Sequence, residues 1–529
     1  MGQLLRCKSS KKVIKQNQTF SVNHPLLKVK DDDHIKNLLI PIKSTSPEEL
    51  YQILNILYSD DGQTVWKVKH KKVGLLRAMI RKERKDEETE RKIIKTMNIS
   101  KSLDHPGILK VFEIYESTEY YNIISELTDG RSLLDELNDT GPFQEKVAAN
   151  IIYQLLGIIN YLHNTKEIIH CRINPNNISL NSLSDDNDYY DIKLMHFNDY
   201  ISNSNGNKER EQFLNSIKNA SNFDKCFFPP EINKSTNLRA NPNLISDKID
   251  IWGIGLVAYF LFTGKIPNLN SFKENDLNIP IFERISPHGK KLIRKLLHQN
   301  PSKRISAKNA IKSKWFTFLE TKKSISKIIK PQYKKIMNNI KKYRPTNKLF
   351  EISLAYLVHN IPDIEDVRNI NKVYMNFNTN SDGKMTKEEI KEGFESLIVA
   401  NKGINKKQFE KVINDFFTLI DNDGNGFIEY EEFARAGIDK KLFVEKEVLE
   451  FAFNFFDRNN SGKILVQNLN MILSTNEKEK EEEINVIRKD LTAIITNMKS
   501  TGDIMNDGTV YMDEISFELY EKMMLKYLI

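Results

Sequence analysis

The spacing of apolar residues changes along the chain, and each change marks a different kind of structure. Residues 51–82 alternate between apolar and polar in two runs around a charged turn near Gly74, which predicts paired β-strands. Residues 82–102 and 148–164 then carry apolar side chains at helical spacing. After Trp315, helical patterns alternate with short polar loops. The pattern therefore predicts an α+β region followed by an all-α region.

Composition and charge exclude several broad classes. The 529 residues are enough for three or four domains, and 40% are hydrophobic, as is normal for globular folds. A net charge of +8 is small for this length and no zinc or RNA-binding signature accompanies it, so we expect no nucleic-acid partner. The three cysteines, at positions 7, 171 and 226, fit no metal or disulfide spacing, which favours a reducing, cytoplasmic setting.

Two further stretches bear on location and order. The longest apolar run, residues 251–262, is too short to span a membrane and predicts a buried helix. Polar tracts such as NSNGNKEREQ, residues 203–212, predict solvated loops.

The N-terminus carries a candidate lipid attachment site. Gly2 follows the initiator methionine, Cys7 lies close by, and several basic residues surround them. Myristoylation of Gly2, palmitoylation of Cys7 and a basic patch would together supply the signals that peripheral attachment to a membrane surface requires. Arg6 replaces the serine or threonine that is usual at that position, so a disordered basic tail is the alternative.

One stretch, IIHCRINPNNISL at residues 168–180, resembles the catalytic loop of protein kinases. Three further phrases, SLDHPGILK, DIWGIGLVAYFLFTGKIP and NPSKRISAKNAIKSKWF, resemble calcium-dependent protein kinases after helix αC, at helix F and at the end of the large lobe. The resemblance extends from about Tyr51 to Phe316. It implies a bilobal α+β kinase fold, binding of ATP with Mg²⁺, and transfer of phosphate to serine or threonine.

The residues that would carry this chemistry are replaced. A kinase needs glycines that lie over the phosphates without a Cβ, a lysine–glutamate ion pair, a catalytic aspartate and a metal-binding aspartate in the DFG triplet. The replaced positions are the three glycines (Tyr58, Asp60, Gln63), the lysine (Ile80), the glutamate (Thr96), the catalytic aspartate (Arg172), the lysine after it (Asn174) and the DFG aspartate (His196). Of the residues that handle the nucleotide, Asn177 is retained.

Residues that hold a kinase domain together are retained instead. They are His170 and Phe197 of the two motifs, the pair Glu231 and Arg304, and the helix F residues Asp250, Trp252 and Gly255. An arginine cannot accept a proton, so Arg172 favours a catalytically inactive pseudokinase. The loss of the lysine and of the DFG aspartate argues against binding of ATP with Mg²⁺. Ser125 is small and leaves room in the adenine site, so binding of ATP without Mg²⁺ stays open. The alternative is an active kinase with relocated groups, in which Lys82 and Asp199 replace the missing lysine and metal ligand.

Four loops between helical patterns resemble paired EF-hands. An EF-hand holds Ca²⁺ through side-chain oxygens at loop positions 1, 3 and 5, a carbonyl at position 7 and a bidentate glutamate at position 12. The second loop, residues 421–432, has every part, and its predicted ligands are Asp421, Asp423, Asn425, Phe427 and Glu432. The first loop, residues 378–389, has neutral asparagines at positions 1 and 3, which lowers its expected affinity. Its predicted ligands are Asn378, Asn380, Asp382, Lys384 and Glu389.

The third and fourth loops each lack a ligand. The third loop, residues 457–468, ends in asparagine instead of glutamate, and its candidate ligands are Asp457, Asn459, Ser461 and Lys463. The fourth loop, residues 503–514, has methionine at position 3, and its candidate ligands are Asp503, Asp507, Thr509 and Glu514. In both loops the alternative is pairing through Ile464 and Val510, at position 8, without metal.

The segment between the two regions is basic and amphipathic. Residues 322–344 carry apolar side chains near helical spacing, which is typical of a calmodulin target or a membrane-surface helix, and Pro331 interrupts them. The predicted organisation is an N-terminal extension at 1–48, a degenerate kinase-like domain at 49–317, a junction at 318–360, and a calmodulin-like domain at 361–529 that binds the junction.

Taken together, the resemblance favours a calcium-responsive pseudokinase scaffold or regulator that is switched when Ca²⁺ binds its EF-hands. Its output would be a change in contacts with protein partners that the sequence does not name. Two alternatives stay open. One is an active calcium-dependent serine/threonine kinase, and the other is a calcium buffer or membrane-attached calcium-binding protein.

Overall fold

A sheet with helices forms the first part of the structure, and helix–loop–helix units follow it. The computed structural model describes residues 42–59, 63–84, 87–128, 131–182, 190–202, 206–218, 220–233, 244–265, 284–319, 333–343, 348–361, 365–398, 406–421, 424–457, 459–465 and 514–528, with six further residues between 485 and 496. These described residues all belong to one unit of the chain.

The alternating pattern of residues 51–82 forms three strands of a six-stranded sheet. Its strands are β1 (Ile42–Lys43), β2 (Tyr51–Ser59), β3 (Gln63–His70), β4 (Leu76–Glu83), β5 (Val111–Glu116) and β6 (Tyr120–Ser125). They lie in the order β1-β5-β6-β4-β3-β2, and the pair β1 and β5 is parallel. In β4, Ile80 lies opposite Ile123 of β6. The strand prediction for this region is therefore confirmed.

Helix α1 (Glu87–Ser102) covers one face of this sheet. Its apolar side chains Ile93 and Met97 are buried with Ile114 of β5 and Ile123 of β6. Burial of this stripe removes apolar surface from water, while the charged residues of the helix keep their hydration on the other side.

The second lobe is mostly helical. Its elements are β7 (Arg131–Ser132), α2 (Leu133–Thr140), α3 (Glu145–Asn164), β8 (Ile168–Ile169), β9 (Ile178–Ser182), β10 (Tyr190–Leu194), β11 (Ile201–Ser202), α4 (Gly206–Lys218), α5 (Asn222–Lys225), α6 (Pro230–Asn233), α7 (Lys248–Thr263), α8 (Pro287–Leu296), α9 (Ala307–Ala310) and α10 (Lys314–Phe318). Helices α3 and α7 are buried along almost their whole length and form its core. This sheet and helical lobe make the bilobal fold of a kinase domain.

The described residues of the C-terminal region are mostly helical. Its elements are α11 (Lys348–Asn360), α12 (Glu365–Phe377), α13 (Lys387–Ile398), α14 (Lys406–Ile420), α15 (Tyr430–Gly437), α16 (Lys446–Phe456), β12 (Lys463–Leu465), β13 (Glu514–Ser516) and α17 (Phe517–Leu528). Helical residues 333–342 of the basic segment contribute Ile336, Met337 and Ile340 to the same buried cluster as these helices. Among the described residues, no helix is long and apolar enough to cross a membrane.

Candidate functional site

The nucleotide side of the cleft carries apolar and neutral groups where a kinase carries charges. Ile80, at the lysine position, packs against the buried cluster that includes Ile93 and Met97 of α1. Thr96, at the glutamate position of α1, hydrogen-bonds the Asn198 side chain, with 2.9 Å between Oγ1 and Oδ1. Strand and helix are therefore joined by apolar packing, and helix and DFG-like segment by a neutral hydrogen bond.

The positions of the glycine-rich loop lie at the turn between β2 and β3. Tyr58 pairs with Val65 near the end of β2 and is half exposed, and Gln63 begins β3. Asp60 lies outside the described residues. A tyrosine at this turn adds bulk where a glycine backbone would approach phosphates.

His196, at the position of the DFG aspartate, is half-buried in the cleft. Its backbone is left-handed, with φ of 64°. Loss of solvation, and then the charge of Lys82, lowers the pKa of His196 to about 4, so the imidazole is neutral near pH 7. Mg²⁺ prefers oxygen ligands, and a neutral imidazole supplies neither an oxygen nor a negative charge.

The packing residues of the two motifs contact each other as in a folded kinase core. Phe197 lies edge-on to His170 with ring centroids 4.7 Å apart. Asp250 of α7 accepts from the backbone N–H groups of His170 and Cys171, each at 2.8 Å. Arg304 makes a two-fold ion pair with Glu231, at 2.9 and 3.1 Å. The predicted Glu231–Arg304 pair is confirmed.

Arg172, at the position of the catalytic aspartate, is the centre of a hydrogen-bond network. Its Nε donates to Asp199 Oδ2 at 2.7 Å, and the two side chains are 11% and 13% exposed. Its Nη2 lies 3.1 Å from Ser216 Oγ, and its guanidinium lies 5.0 Å from the ring centre of Phe228. Asp199, the candidate relocated metal ligand, is therefore already paired. The guanidinium holds these groups together and has no lone pair for a substrate proton.

Helix α4 fills the space beside Arg172. Phe213 and Leu214 are buried in an apolar cluster with Phe228, and Glu209 lies 3.8 Å from Lys95 of α1. The helix thus links α1 to the catalytic loop. The prediction of a solvated loop at residues 203–212 was wrong for the part that begins α4, because the buried residues just after it anchor a helix.

Two asparagines fix the backbone of the catalytic loop. Asn174 Oδ1 accepts from the N–H groups of Asn176 and Asn177, at 2.9 and 3.2 Å, and its Nδ2 donates to Asp224 Oδ1 at 3.0 Å. Asn177 Nδ2 donates to the carbonyl of Arg172 at 2.8 Å. Both amides hold the loop in shape. Neither Ser216 nor Asp224 was predicted, since nothing local in the sequence links them to the loop.

In the second EF-hand loop, the described residues have the turn of a calcium loop. Gly426 N–H donates to Asp421 Oδ2 at 3.2 Å and Phe427 N–H donates to Asn425 Oδ1 at 2.8 Å. Glu432 Oε2 accepts from Glu429 N–H at 3.1 Å. Asp423 lies outside the described residues. The oxygens of Asp421, Asn425 and Glu432 and the carbonyl of Phe427 are the donor types that Ca²⁺ requires.

The first loop pairs with the second through a backbone bridge between Met385 and Ile428, which both occupy position 8. Glu389 accepts from Asn380 N–H and Thr386 N–H, each at 3.0 Å. The amide of Asn378 at position 1 is fully buried, and neither its Oδ1 nor its Nδ2 has a hydrogen-bond partner among the described residues. A buried oxygen without a donor fits a metal ligand, so these residues fit Ca²⁺.

The third and fourth loops pair in a register that corrects the fourth-loop prediction. Ile464 of β12 lies opposite Ile515 of β13, not Val510, and Glu514 forms an ion pair with Lys463 at 2.6 Å. Ile515 therefore occupies position 8, which places Glu514 at position 7 and Leu519 at position 12. Helix α17 begins two residues after Ile515, as α13 and α15 begin two residues after their position 8. Glu514 was wrongly predicted as the position-12 ligand.

Other predicted residues of these two loops are placed only in part. In the third loop, Asp457 accepts from Ser461 N–H at 2.9 Å and Gly462 N–H at 2.7 Å. Asp503, Asp507 and Thr509 lie outside the described residues, as do the predicted lipidation residues Gly2 and Cys7. The ligand sets of the first three loops stay predictions, whereas the set predicted for the fourth loop depends on a frame that the pairing of Ile464 with Ile515 contradicts.

Comparison with known proteins agrees with this organisation. A family model described as protein kinase domain matches residues 60–316, and one described as EF hand matches residues 413–436. Calcium-dependent protein kinase 4 of Plasmodium berghei (strain Anka) is 28% identical over 444 residues, which cover 80% of this chain and 79% of that protein. The chain is therefore similar to calcium-dependent protein kinases over most of its length.

Two further relatives cover similar shares of the chain. Calcium-dependent protein kinase 4 of Plasmodium falciparum (isolate 3D7) is 27% identical over 453 residues, 82% of this chain and 78% of that protein. Calcium-dependent protein kinase 5 of the same organism is 27% identical over 460 residues, 85% of this chain and 74% of that protein. The chain thus resembles protein kinases over residues 60–316 and EF-hands over residues 413–436, which include the second loop.

Proposed function

We propose that this protein is a calcium-responsive scaffold whose kinase-like domain transfers no phosphate. The observation that carries the proposal is Arg172, which stands at the position of the catalytic base and binds Asp199 and Ser216. Removal of a general base alone lowers a rate by roughly 10²–10⁴-fold. The neutral His196 and the apolar Ile80 support the same conclusion, because charge stabilisation at the phosphates is the main work of a kinase.

The calcium response is supported by the EF-hand around the second loop and by the names of the relatives, which are calcium-dependent kinases. Ca²⁺ would be held chiefly by the second loop and also by the first. The junction residues Ile336 and Ile340 share the core of the EF-hand helices, and Asn339 Nδ2 donates to Gly437 O at 2.9 Å. A change in those helices would therefore move the junction.

The test is a phosphotransfer assay on the purified full chain with ATP, Mg²⁺ and Ca²⁺, beside a thermal-shift titration with nucleotide. We expect no turnover above background and no Mg²⁺-dependent stabilisation by ATP. Turnover that Asn177→Ala abolishes would overturn the proposal. If Ca²⁺ leaves protease cleavage within residues 322–344 unchanged, the protein acts as a calcium buffer and not as a switch.

One observation favours a second candidate function, an active kinase with relocated groups. The charge of Lys82 contributes to the lowered pKa of His196, which places Lys82 near the cleft. If Lys82 replaces the missing lysine, Lys82→Ala removes whatever turnover is found, whereas Lys71→Ala, on the exposed turn after β3, leaves it intact.

A further inference from the structure

The first EF-hand loop lies directly against helix α3 of the kinase-like domain. Asn160 Nδ2 donates to Asn380 O at 2.8 Å, and Thr165 Oγ1 donates to Asp382 O. These carbonyls belong to loop positions 3 and 5, whereas the carbonyl that binds Ca²⁺ in an EF-hand belongs to position 7. The contact and the metal therefore use different atoms of one loop.

Two glycines, one on each side, allow this close approach. A Cβ at Gly157 of α3 would lie 3.2 Å from Ser381 Cβ, which is tighter than ordinary packing. A Cβ at Gly383 would lie 2.4 Å from the ring of Tyr161, and the φ of Gly383 is +79°. Tyr161 is itself held in place, because its hydroxyl accepts from Asp104 N–H at 2.9 Å.

The loop is chemically suited to a buried contact. Asn378 at position 1 is 0% exposed and Ser381 is 1% exposed, so a carboxylate at position 1 would be buried without solvent. Burial of an unpaired carboxylate is far more costly than burial of an amide. The neutral asparagines of this loop thus match its neighbour, which presents the uncharged side chains of Asn160, Tyr161 and Thr165.

We propose that the face of α3 formed by Gly157, Asn160, Tyr161 and Thr165 is a docking site for the first EF-hand loop, and that docking and Ca²⁺ binding at this loop stabilise each other. Docking fixes the loop backbone at positions 3 and 5, so less ordering remains for the metal to impose. Such coupling is reciprocal, and Ca²⁺ in the first loop strengthens the contact between the two domains. The inference rests on the calcium response proposed above and adds where that response reaches the kinase-like domain.

The experiment measures Ca²⁺ binding by isothermal titration of the full chain with Glu432→Gln, which weakens the second loop. Asn160→Ala and Thr165→Val each remove one docking hydrogen bond and no calcium ligand. We expect each to weaken binding at the first loop roughly fivefold or more, the lower part of the range for coupled sites. Thr165→Ser keeps the hydroxyl and should restore the parent affinity. Lys146→Ala, exposed on the same helix, is the matched control.

Each outcome decides one question. Unchanged affinity in Asn160→Ala and Thr165→Val, with both proteins folded by circular dichroism, overturns the coupling and leaves the proposed function standing. If Glu389→Gln removes no Ca²⁺ binding, the first loop is not a calcium site. The inference then fails together with that part of the proposed function. If Asn160→Ala does not fold, the comparison of Thr165→Val with Thr165→Ser decides, since it differs by one hydroxyl group.

Discussion

The first and second EF-hand loops pair with each other yet lie in opposite surroundings. Asn378 and Ser381 of the first loop are buried, and Ser381 lies next to Gly157 of the kinase-like domain. Residues 424–426 of the second loop are exposed to solvent. Position 1 differs accordingly: it is a neutral amide in the buried loop and the carboxylate of Asp421 in the second.

This difference shows that the residue types in an EF-hand loop can depend on the surface against which the loop packs as well as on the metal that it binds. From the sequence, Asn378 and Asn380 indicate a weakened calcium site. In the structure, the same residues allow position 1 of the loop to be buried at a lower cost than a carboxylate without a partner would have. A departure from a motif is therefore explained by packing that the motif does not describe.

The largest effect that separates the two loops should come from the glycine at position 6. Gly383 and Gly426 have nearly equal backbones, with φ of +79° and +83°, but a Cβ meets Tyr161 at Gly383 and nothing within 4 Å at Gly426. Gly426→Ala should therefore destabilise the chain by about 1–2 kcal/mol through backbone strain alone. Gly383→Ala should destabilise it by about 2–4 kcal/mol, because steric overlap is added.

Urea unfolding of the full chain, followed by circular dichroism, measures both glycine variants. Tyr161→Leu in the Gly383→Ala background is the control, since a smaller side chain should relieve part of the overlap. Equal losses for Gly383→Ala and Gly426→Ala would contradict the docked geometry and make the two loops alike.

An exchange of the position-1 residues should act with opposite signs in the two loops. Asn378→Asp buries a carboxylate near Asp382 and Glu389, so without Ca²⁺ it should destabilise the chain by about 1–3 kcal/mol. With Ca²⁺ it should bind the ion roughly tenfold more tightly, since charge raises EF-hand affinity. Asp421→Asn should lower calcium affinity and leave calcium-free stability nearly unchanged.

Thermal unfolding with a chelator and with Ca²⁺, together with calcium titration, tests this exchange. A calcium-free Asn378→Asp chain as stable as its parent would show that the first loop does not bury position 1, and the distinction between the loops would fail there.

Much of the fold was predictable from local pattern. The alternation over residues 51–82 and the helical spacing over 148–164 were enough for the strands β2 to β4 and for helix α3, because each pattern keeps the period of one type of element. Met385 and Ile428 could be paired in advance, since EF-hand position 8 is defined by the loop itself.

What could not be predicted depends on contacts between distant residues. The fourth-loop frame failed because Gly508 and Glu514 fit the motif at positions 6 and 12, whereas the pairing of Ile464 with Ile515, which no local pattern marks, sets a frame five residues later. The role of Arg172 could not be predicted because it depends on Ser216, which lies 44 residues away in the sequence, on helix α4. The contact of Asn160 with Asn380 joins residues 220 positions apart, and no local pattern marks it.

Loss of a contact made by a helix should have a smaller effect than loss of a contact made by a loop. The second EF-hand reaches the kinase-like domain through its exit helix, where Asp104 Oδ2 accepts from Glu431 N–H at 3.1 Å near the start of α15. Asp104→Ala should destabilise the chain by about 1 kcal/mol, the usual loss for a carboxylate at a helix N-terminus. Calcium affinity at the second loop should change little, because Asp104 binds a backbone N–H at the end of the loop while positions 4–6 are exposed.

Urea unfolding and calcium titration of Asp104→Ala test this pair of expectations. Asp104→Asn is the control, because it keeps an acceptor and should recover part of the stability. A fall in second-loop calcium affinity as large as that expected at the first loop from Asn160→Ala would contradict this expectation. Contacts through a helix would then affect calcium binding as strongly as contacts through a loop, whether or not the loop is exposed.

The smallest effect concerns pH and position 5. Loss of solvation raises the pKa of Asp382 in the first loop. A carboxyl whose pKa is raised on folding binds more protons in the folded state, so stability falls as pH increases from roughly pH 4 through the raised pKa. Asp382→Asn removes this titration and should stabilise the calcium-free chain at pH 7 by less than about 0.5 kcal/mol.

The second loop provides the matched change, because its position 5 is Asn425, which does not titrate and is exposed. Asn425→Asp should add little pH dependence, since solvent keeps the pKa of an exposed carboxyl near its ordinary value in both states. Thermal unfolding between roughly pH 4 and 7 in chelator compares the two variants. If Asp382→Asn leaves the pH slope unchanged, burial does not reach position 5, and the contrast between the loops rests on position 1 and its buried amide.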